Sequence, residues 1–341
     1  MSINKKIPVK AIHLCLLSQL ISGDAGATEF RSNNKTMPQK KEYISNYQYL
    51  MIDNNTTDIL HHPAFTGFSS LLLPWNDSRR NKDVPIKNIQ TLLPYHSHVV
   101  PEIVLSAMNR MIDDINQGLT VFYNIYSEQQ KAQSPDKNNT GLFFFRGAKN
   151  APFAIICPGG GFEYVGSVHE GFPYAAEISR QGYNVFVLRY RVGQGGLNAT
   201  QDLASAISFI HKNAASLQVS THGYSLWGSS AGARMAAAVG SYGVEQFGGE
   251  QLPKPAAVIM AYTGYPDYSE HEPPTFVVVG SRDDIAPPAV MQQRINALKR
   301  MGTIVEYHQY PGVGHGFGLG NGTSAEGWIQ QATQFWGKWI K

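Results

Sequence analysis

The chain has 341 residues, with 28 Lys+Arg against 25 Asp+Glu, 43% hydrophobic residues and two cysteines. That length accommodates one large domain with an extension, or two domains, and buries a sizeable core; the 11% aromatic content excludes low-complexity disorder for most of it. Lys5, Lys6, Lys10 and Asp24 account for part of the formal charge of +3, leaving +1 on residues 28–341, whereas a nucleic-acid partner requires a concentrated positive field.

Those lysines precede a mostly apolar run over residues 11–21, and Ala25-Gly26-Ala27 follows. A positive start, a short apolar run and a small-residue site predict a cleaved export signal over residues 1–27. The run is too short to span a bilayer, and nothing resembling a lipoprotein cleavage site accompanies Cys15, so no membrane anchor is expected. A buried first helix is the alternative, although His13, Ser18 and Gln19 dilute the run. Signal removal leaves Cys157 as the sole cysteine, so an exported product (periplasmic or secreted) must fold without an internal disulfide.

Residues 28–55 are polar, with Asn and Lys clusters, and read as a leader. Residues 60–120 are rich in turn residues, such as His61-His62-Pro63 and Leu93-Pro94-Tyr95. One helix stands out after Pro101, with Ile103, Val104, Ala107, Met108, Met111 and Ile112 at helical spacing. Residues 28–120 are therefore expected to form a leader and an irregular extension packed on the main domain, residues 121–341. There the pattern predicts strands at 121–126 and 142–145 around a turn at 135–141, then a strand at 153–157 ending in Pro158-Gly159-Gly160-Gly161. A helix at 172–181, a strand at 184–190, a helix at 199–215, a strand near 224–227 and a helix from Ala231 come next. Strands at 256–261 and 275–279, a helix at 288–301, a strand at 303–308 and a helix at 325–340 complete the chain. This alternation specifies an α/β fold: a mostly parallel central sheet with helices on both faces.

Gly228-Ser229-Ser230-Ala231-Gly232 fits Gly-x-Ser-x-Gly between an apolar strand and a helix-forming run. A sharp strand-to-helix turn there exposes the Ser230 hydroxyl, and small residues on either side let neighbouring backbone approach. A glycine-rich turn with a capping serine is the bland alternative. A serine hydroxyl needs a base, and the base needs a carboxylate to fix its tautomer. Of the three histidines after Ser230, His315 lies in the glycine loop Gly312-Val313-Gly314-His315-Gly316, His308 alternates within a strand as a packed residue would, and His271 sits in a charged loop. Asp283 and Asp284 follow the strand at 275–279, at the carboxyl edge where open α/β sheets gather catalytic groups. Asp283 is favoured over Asp284, whose better role is to cap the helix starting near Pro287, and over Asp267. The order Ser230, Asp283, His315 is that of an α/β-hydrolase triad. An oxyanion would be held by the N–H groups of Gly160, Gly161 and Ala231, since glycine permits close approach. A phosphate loop is the alternative for the triple glycine, but the Gly-Lys-Ser/Thr ending is absent.

With those residues in view, residues 120–341 resemble α/β-hydrolase-fold serine esterases, specifically the secreted acetylxylan-esterase-like and dienelactone-hydrolase-like branch. The resemblance rests on Cys157-Pro158-Gly159-Gly160-Gly161-Phe162, Tyr190-Arg191, Trp227-Gly228-Ser229-Ser230-Ala231-Gly232, Gly280-Ser281-Arg282-Asp283 and Gly314-His315-Gly316-Phe317. It implies a Ser/Asp/His hydrolase of carboxylic esters that needs no cofactor. Many such esterases have His where this chain has Pro158, and dienelactone hydrolases have Cys where it has Ser230. Residues before 120 bring no functional residue with them.

Weaker signals have plain readings. His96-Ser97-His98 is expected to be a loop feature rather than a metal site, there being no third ligand in the sequence beside it. Cys157 reads as a small buried residue and Trp227 as core or pocket wall. Glu163, Tyr164, His169 and Glu170 either line a substrate pocket or, for Glu170, pair with Arg189 or Arg191. The expected activity is removal of a short acyl group, acetyl foremost, from a carbohydrate or similar small alcohol. A prolyl-oligopeptidase-like peptidase and a catalytically silent binding module are its rivals.

Overall fold

A computed structural model describes residues 46–340. The expected export signal and the first part of the polar leader lie outside the described residues. In chain order the elements are α1 (Thr56–His61), α2 (Pro101–Asn116), β1 (Phe122–Tyr123), α3 (Glu128–Gln133), β2 (Gly141–Phe145), β3 (Pro152–Cys157), α4 (Phe172–Arg180) and β4 (Asn184–Arg189). They continue with α5 (Leu197–Leu217), β5 (Ser220–Ser229), α6 (Ala231–Tyr242), β6 (Ala257–Ala261), β7 (Thr275–Gly280), α7 (Pro288–Arg300), β8 (Val305–Tyr310) and α8 (Trp328–Gly337).

The eight strands form one sheet in the order β1-β2-β4-β3-β5-β6-β7-β8. β1–β2 and β2–β4 pair antiparallel, and every pair from β4–β3 onward is parallel. The side-chain period of two divides each strand between two cores. In β4, Val185 and Val187 join one core while Phe186 and Leu188 join the other; β6 splits likewise into Ala257, Ile259 and Ala261 against Val258 and Met260. The second core is completed by α5, α6 and α7. The first takes α4 and α8 and, with them, the irregular segment 46–120: Ile59, Phe65, Leu72, Leu73, Ile86, Ile89 and, on α2, Val104, Ala107, Met108, Met111 and Ile112 of the predicted face are buried with Trp227 and Trp328, while Ile103 is only partly buried. Burying each such large apolar side chain stabilises by about 1.5–3 kcal/mol, so the segment is a layer of the structure despite its scarcity of regular elements. Arg189 adds a polar tie, donating to the Leu73 carbonyl (2.7 Å) and the Asn76 side chain (2.6 Å).

Some local expectations differ from what is observed. The hairpin predicted around residues 135–141 is interrupted by α3 and a 3-10 turn, Pro135–Asn139, and β1 keeps only two residues. Ser127 and Gln130 cap α3 reciprocally (3.3 and 2.9 Å), a capping box that favours helix in a segment with few apolar residues. β5 begins at Ser220, earlier than its apolar half suggested, because a register shift against β3 interrupts its alternation. β8 ends at Tyr310, and α8 starts only at Trp328 behind the left-handed Gly327.

Candidate active site

The turn after β5 is sharp. Ser230 has φ 50° and ψ −115°, a conformation that costs a non-glycine residue of order 1–3 kcal/mol and persists only where its surroundings enforce it. Its N–H donates to the Ala261 carbonyl (2.8 Å) at the end of β6. Any side chain at Gly232 would put Cβ 1.8 Å from the Cys157 carbonyl oxygen, and one at Gly228 would lie 2.3 Å from the Gly232 oxygen. The two glycines of the pentapeptide are therefore required by close backbone approach at the junction of β3, β5 and α6.

The three side chains singled out from sequence come together at this edge. Asp283 follows β7, and His315 follows β8 by way of the loop after Tyr310. His315 Nε2 lies 2.9 Å from Ser230 Oγ and its Nδ1 2.8 Å from Asp283 Oδ2. The other oxygen of Asp283 accepts from the N–H groups of Ile285 (3.0 Å) and Ala286 (2.7 Å). Asp284, expected to cap the helix near Pro287, is exposed, and that helix has Pro287 at its N-cap with no side-chain cap; Asp283 both closes the turn and faces His315. His308 packs against the rings of Phe276 and Tyr310 while remaining partly exposed beside Glu306 (2.9 Å), and neither it nor the exposed His271 is hydrogen-bonded to Ser230.

The glycine loop after β3 passes in front of Ser230. Gly160 (φ 129°) and Gly161 (φ 65°) are in the left-handed half of conformational space, and a Cβ on Gly160 would come within 2.2 Å of the Tyr164 carbonyl oxygen. The N–H groups of Gly160 and Gly161 have no protein acceptor among the described residues. Ala231 is the first residue of α6, so its N–H has no intrahelical partner. Pro158, at the position where many esterases have His, directs its carbonyl to the Tyr190 hydroxyl (2.6 Å). A cavity of about 350 Å³ opens at this place, lined by Gly161, Phe162, Ser230, Arg234, Thr263 and Ile285 among others. A larger hollow, about 610 Å³, lies between Asn124 and Glu250 and has none of these residues in its wall.

The residues between the glycine loop and α4 do not line that cavity. Glu170 is wholly buried and pairs with neither Arg189 nor Arg191. Its Oε2 accepts from Gly159 N–H (2.5 Å), and its Oε1 from the Tyr262 hydroxyl (2.7 Å), with His96 Nε2 at 3.1 Å. Burial alone would push this carboxyl up; the charge and hydrogen bond of His96, then His169 and Tyr262, outweigh it and hold the group at about 2. His169, with Nε2 donating to the Gly316 carbonyl (3.0 Å), is held down at about 4 by burial and by His96. Arg191 is engaged by Asp202 instead (2.8 Å). Trp227 is core, and the Cys157 thiol is pushed far up by burial.

His96 lies in a loop, as expected, but its side chain is buried against Glu170. Its neighbour Ser97 donates from Oγ to the His315 carbonyl (2.7 Å) and from N–H to the Gly316 carbonyl (2.9 Å). Segment 46–120 thus touches the candidate site, against the expectation that it brings nothing there. Only spatial proximity reveals this: His96 is 74 positions before Glu170 and Ser97 is 218 before His315. No group of three or more His, Cys, Asp or Glu among the described residues is arranged to hold a metal ion.

The BD-FAE family model matches residues 145–257, and the model of the prolyl oligopeptidase family matches residues 242–341. An acetylxylan esterase of Xylanibacter ruminicola is 23% identical over 217 residues, which are 54% of this chain and 44% of that protein. Among solved structures, the acetyl ester-xyloside bifunctional hydrolase of Caldicellulosiruptor lactoaceticus superposes with a TM-score of 0.55 at 21% identity, over 64% of this chain and 95% of that one. The propionate-bound esterase of Thermogutta terrifontis gives 0.52 at 18% identity, over 58% and 89%. The chain has the α/β-hydrolase fold. Its sequence likenesses are to the BD-FAE and prolyl oligopeptidase models, each over about a third of the chain, and to an acetylxylan esterase of which it spans less than half the length.

Proposed function

We propose that the chain is a carboxylic ester hydrolase acting through an acyl-enzyme, with Ser230 as nucleophile, His315 as base and Asp283 as the group that orients it. The observation that carries this is the continuous Asp283–His315–Ser230 chain of 2.8 and 2.9 Å contacts at a cavity. Asp283 fixes the proton of neutral His315 on Nδ1, leaving Nε2 free to accept the Ser230 proton as Oγ attacks the carbonyl carbon. The carbonyl oxygen becomes an anion, for which the N–H groups of Gly160, Gly161 and Ala231 are the donors; loss of one such donor costs about 10²–10³ in turnover. Protonated His315 passes its proton to the departing alcohol. Water then attacks the acyl-Ser230 ester with His315 again as base, releasing the acid and regenerating the hydroxyl.

The acyl group is short, acetyl foremost, and the alcohol a carbohydrate or similar small molecule. Support comes from the modest cavity and from the activities of two similar proteins, an acetylxylan esterase and an acetyl ester-xyloside bifunctional hydrolase. Because this chain spans 44% of the curated relative, that substrate is a proposal about this chain in its own right. The start of the sequence supports an exported enzyme, and no helix among the described residues is long and apolar enough to cross a membrane. A second reading, peptide cleavage after proline, has one observation in its favour: the prolyl oligopeptidase match over residues 242–341.

Hydrolysis of acetyl, butyryl, octanoyl and palmitoyl esters, acetylated xylan and a proline-containing peptide by the mature protein and by Ser230→Ala separates these possibilities. Fastest turnover on acetyl esters, abolished in the variant, is expected. Selective peptide cleavage would establish the second reading, and full ester activity in the variant would remove the nucleophile assignment.

A further inference from the structure

Burying an ion pair costs desolvation that well-packed apolar side chains of the same volume avoid. A wholly buried carboxylate against a buried imidazole therefore calls for an explanation beyond stability, and the position of Glu170 supplies one. Through Oε2 it holds Gly159 N–H (2.5 Å), directly before Gly160 and Gly161, whose N–H groups have no protein acceptor among the described residues and the second of which lines the cavity. Through Oε1 it holds the hydroxyl of Tyr262 (2.7 Å), whose ring packs edge-on to the His315 imidazole with centroids 5.2 Å apart. Tyr262 sits at φ 36°, so its backbone is itself constrained. One carboxylate is thus a single hydrogen bond from the glycine loop and a single hydrogen bond from the support of His315.

His96 completes the arrangement from the irregular segment. Its Nε2 faces Glu170 Oε1 at 3.1 Å and its Nδ1 shares a hydrogen bond with the Tyr164 hydroxyl (2.8 Å), which in turn accepts from Tyr95 N–H (3.1 Å). Space is limiting around it: a Cβ on Gly166 would meet His96 Nε2 at 2.7 Å, and one on Gly316 would meet the Tyr95 carbonyl oxygen at 2.3 Å.

We propose that Glu170 and His96 are positioning residues for ester hydrolysis, fixing the Gly159–Gly161 loop in its anion-binding shape and tying that shape to the residue pair 96–97 of the N-terminal segment. The proposal rests on the esterase reading of Ser230 and His315 and adds that the segment before residue 120 is part of the catalytic apparatus. Glu170→Gln keeps the volume but replaces one acceptor oxygen by an amide donor, so Gly159 N–H and the Tyr262 and His96 donors cannot all be accepted. His96→Leu removes the donor to Glu170, while His96→Gln retains one.

The test is the rate at which a fluorophosphonate modifies Ser230, its Oγ displacing fluoride from phosphorus and giving up its proton to His315, measured with kcat and KM on a short acyl ester. Expected for Glu170→Gln and His96→Leu is at least about 30-fold slower labelling and an equal fall in kcat, below the full loss of a donor, with KM within about threefold. His96→Gln is expected to recover most of the rate, which a purely structural role would not predict. If either single variant fails to fold, the double variant Glu170→Leu/His96→Leu removes the carboxylate together with its imidazole partner and is expected to fold and to label slowly. Labelling of these variants within twofold of the wild type would overturn the proposal and leave the esterase reading standing. Failure of the wild type to be labelled at Ser230 would overturn both.

Discussion

The hydrolase body from β1 to α8 and the segment before it reach the candidate site by opposite routes. The body places Ser230, Asp283 and His315 at the ends of β5, β7 and β8, where parallel strands converge on one edge and position is dictated by register. The preceding segment has two helices and a string of 3-10 turns, yet its Ser97 grips the His315 loop and its His96 meets Glu170. Regular elements deliver chemistry by periodicity, whereas the irregular layer delivers it by packing, fixed by buried residues such as Leu72, Leu73 and Ile86.

The largest expected effect lies in the body. Asp283→Asn should lower kcat on a short acyl ester by about 10⁴, since the imidazole loses its tautomeric control, with KM little changed. Asp284→Asn, one residue away and exposed, should leave kcat within twofold; equal loss in both would dissolve the distinction between the neighbours. In the preceding segment, Ser97→Ala should cost about 3–10-fold in kcat, corresponding to one hydrogen bond of ~1 kcal/mol holding the His315 carbonyl. Wild-type kcat in that variant would return the segment to a structural layer only.

A smaller effect is a pH dependence shared by the two regions, because His96, His169 and Glu170 face one another across them. His169 is held at about 4, below the ordinary histidine range, so the unfolded chain binds its proton first as pH falls. Its contribution to stability is present above about 6.5 and is lost as pH falls from there toward 4. The Glu170 carboxyl, held at about 2 by His96 against the effect of burial, loses its contribution as pH falls from about 4.5 toward 2. Urea midpoints should accordingly decline between pH 6.5 and 4, and His169→Asn should flatten that decline; an unchanged slope would contradict the assignment of His169 as buried and neutral.

The same contrast explains what the amino-acid sequence disclosed. Strands β4, β6 and β7 are continuous apolar runs bounded by turns, and the elbow glycines are demanded by contacts as short as 1.8 Å for an added Cβ, so both left local signatures. α3 escaped because its capping box operates without an apolar face. The partners of Glu170 escaped for a different reason: Arg189 and Arg191, at the end of the next strand, were the expected partners, but Asp202 engages Arg191 and residues 73 and 76 engage Arg189. His96 lay in a segment without periodicity to indicate which side of its loop is buried.

The central claim is that Ser230 carries the acyl group. Acid quenching of the mature protein during turnover of an activated acetyl ester, followed by peptide mass mapping, tests it directly. An acetyl group is expected on the peptide containing Ser230, and none in Ser230→Ala. Acetylation elsewhere, or undiminished turnover by that variant, would contradict it.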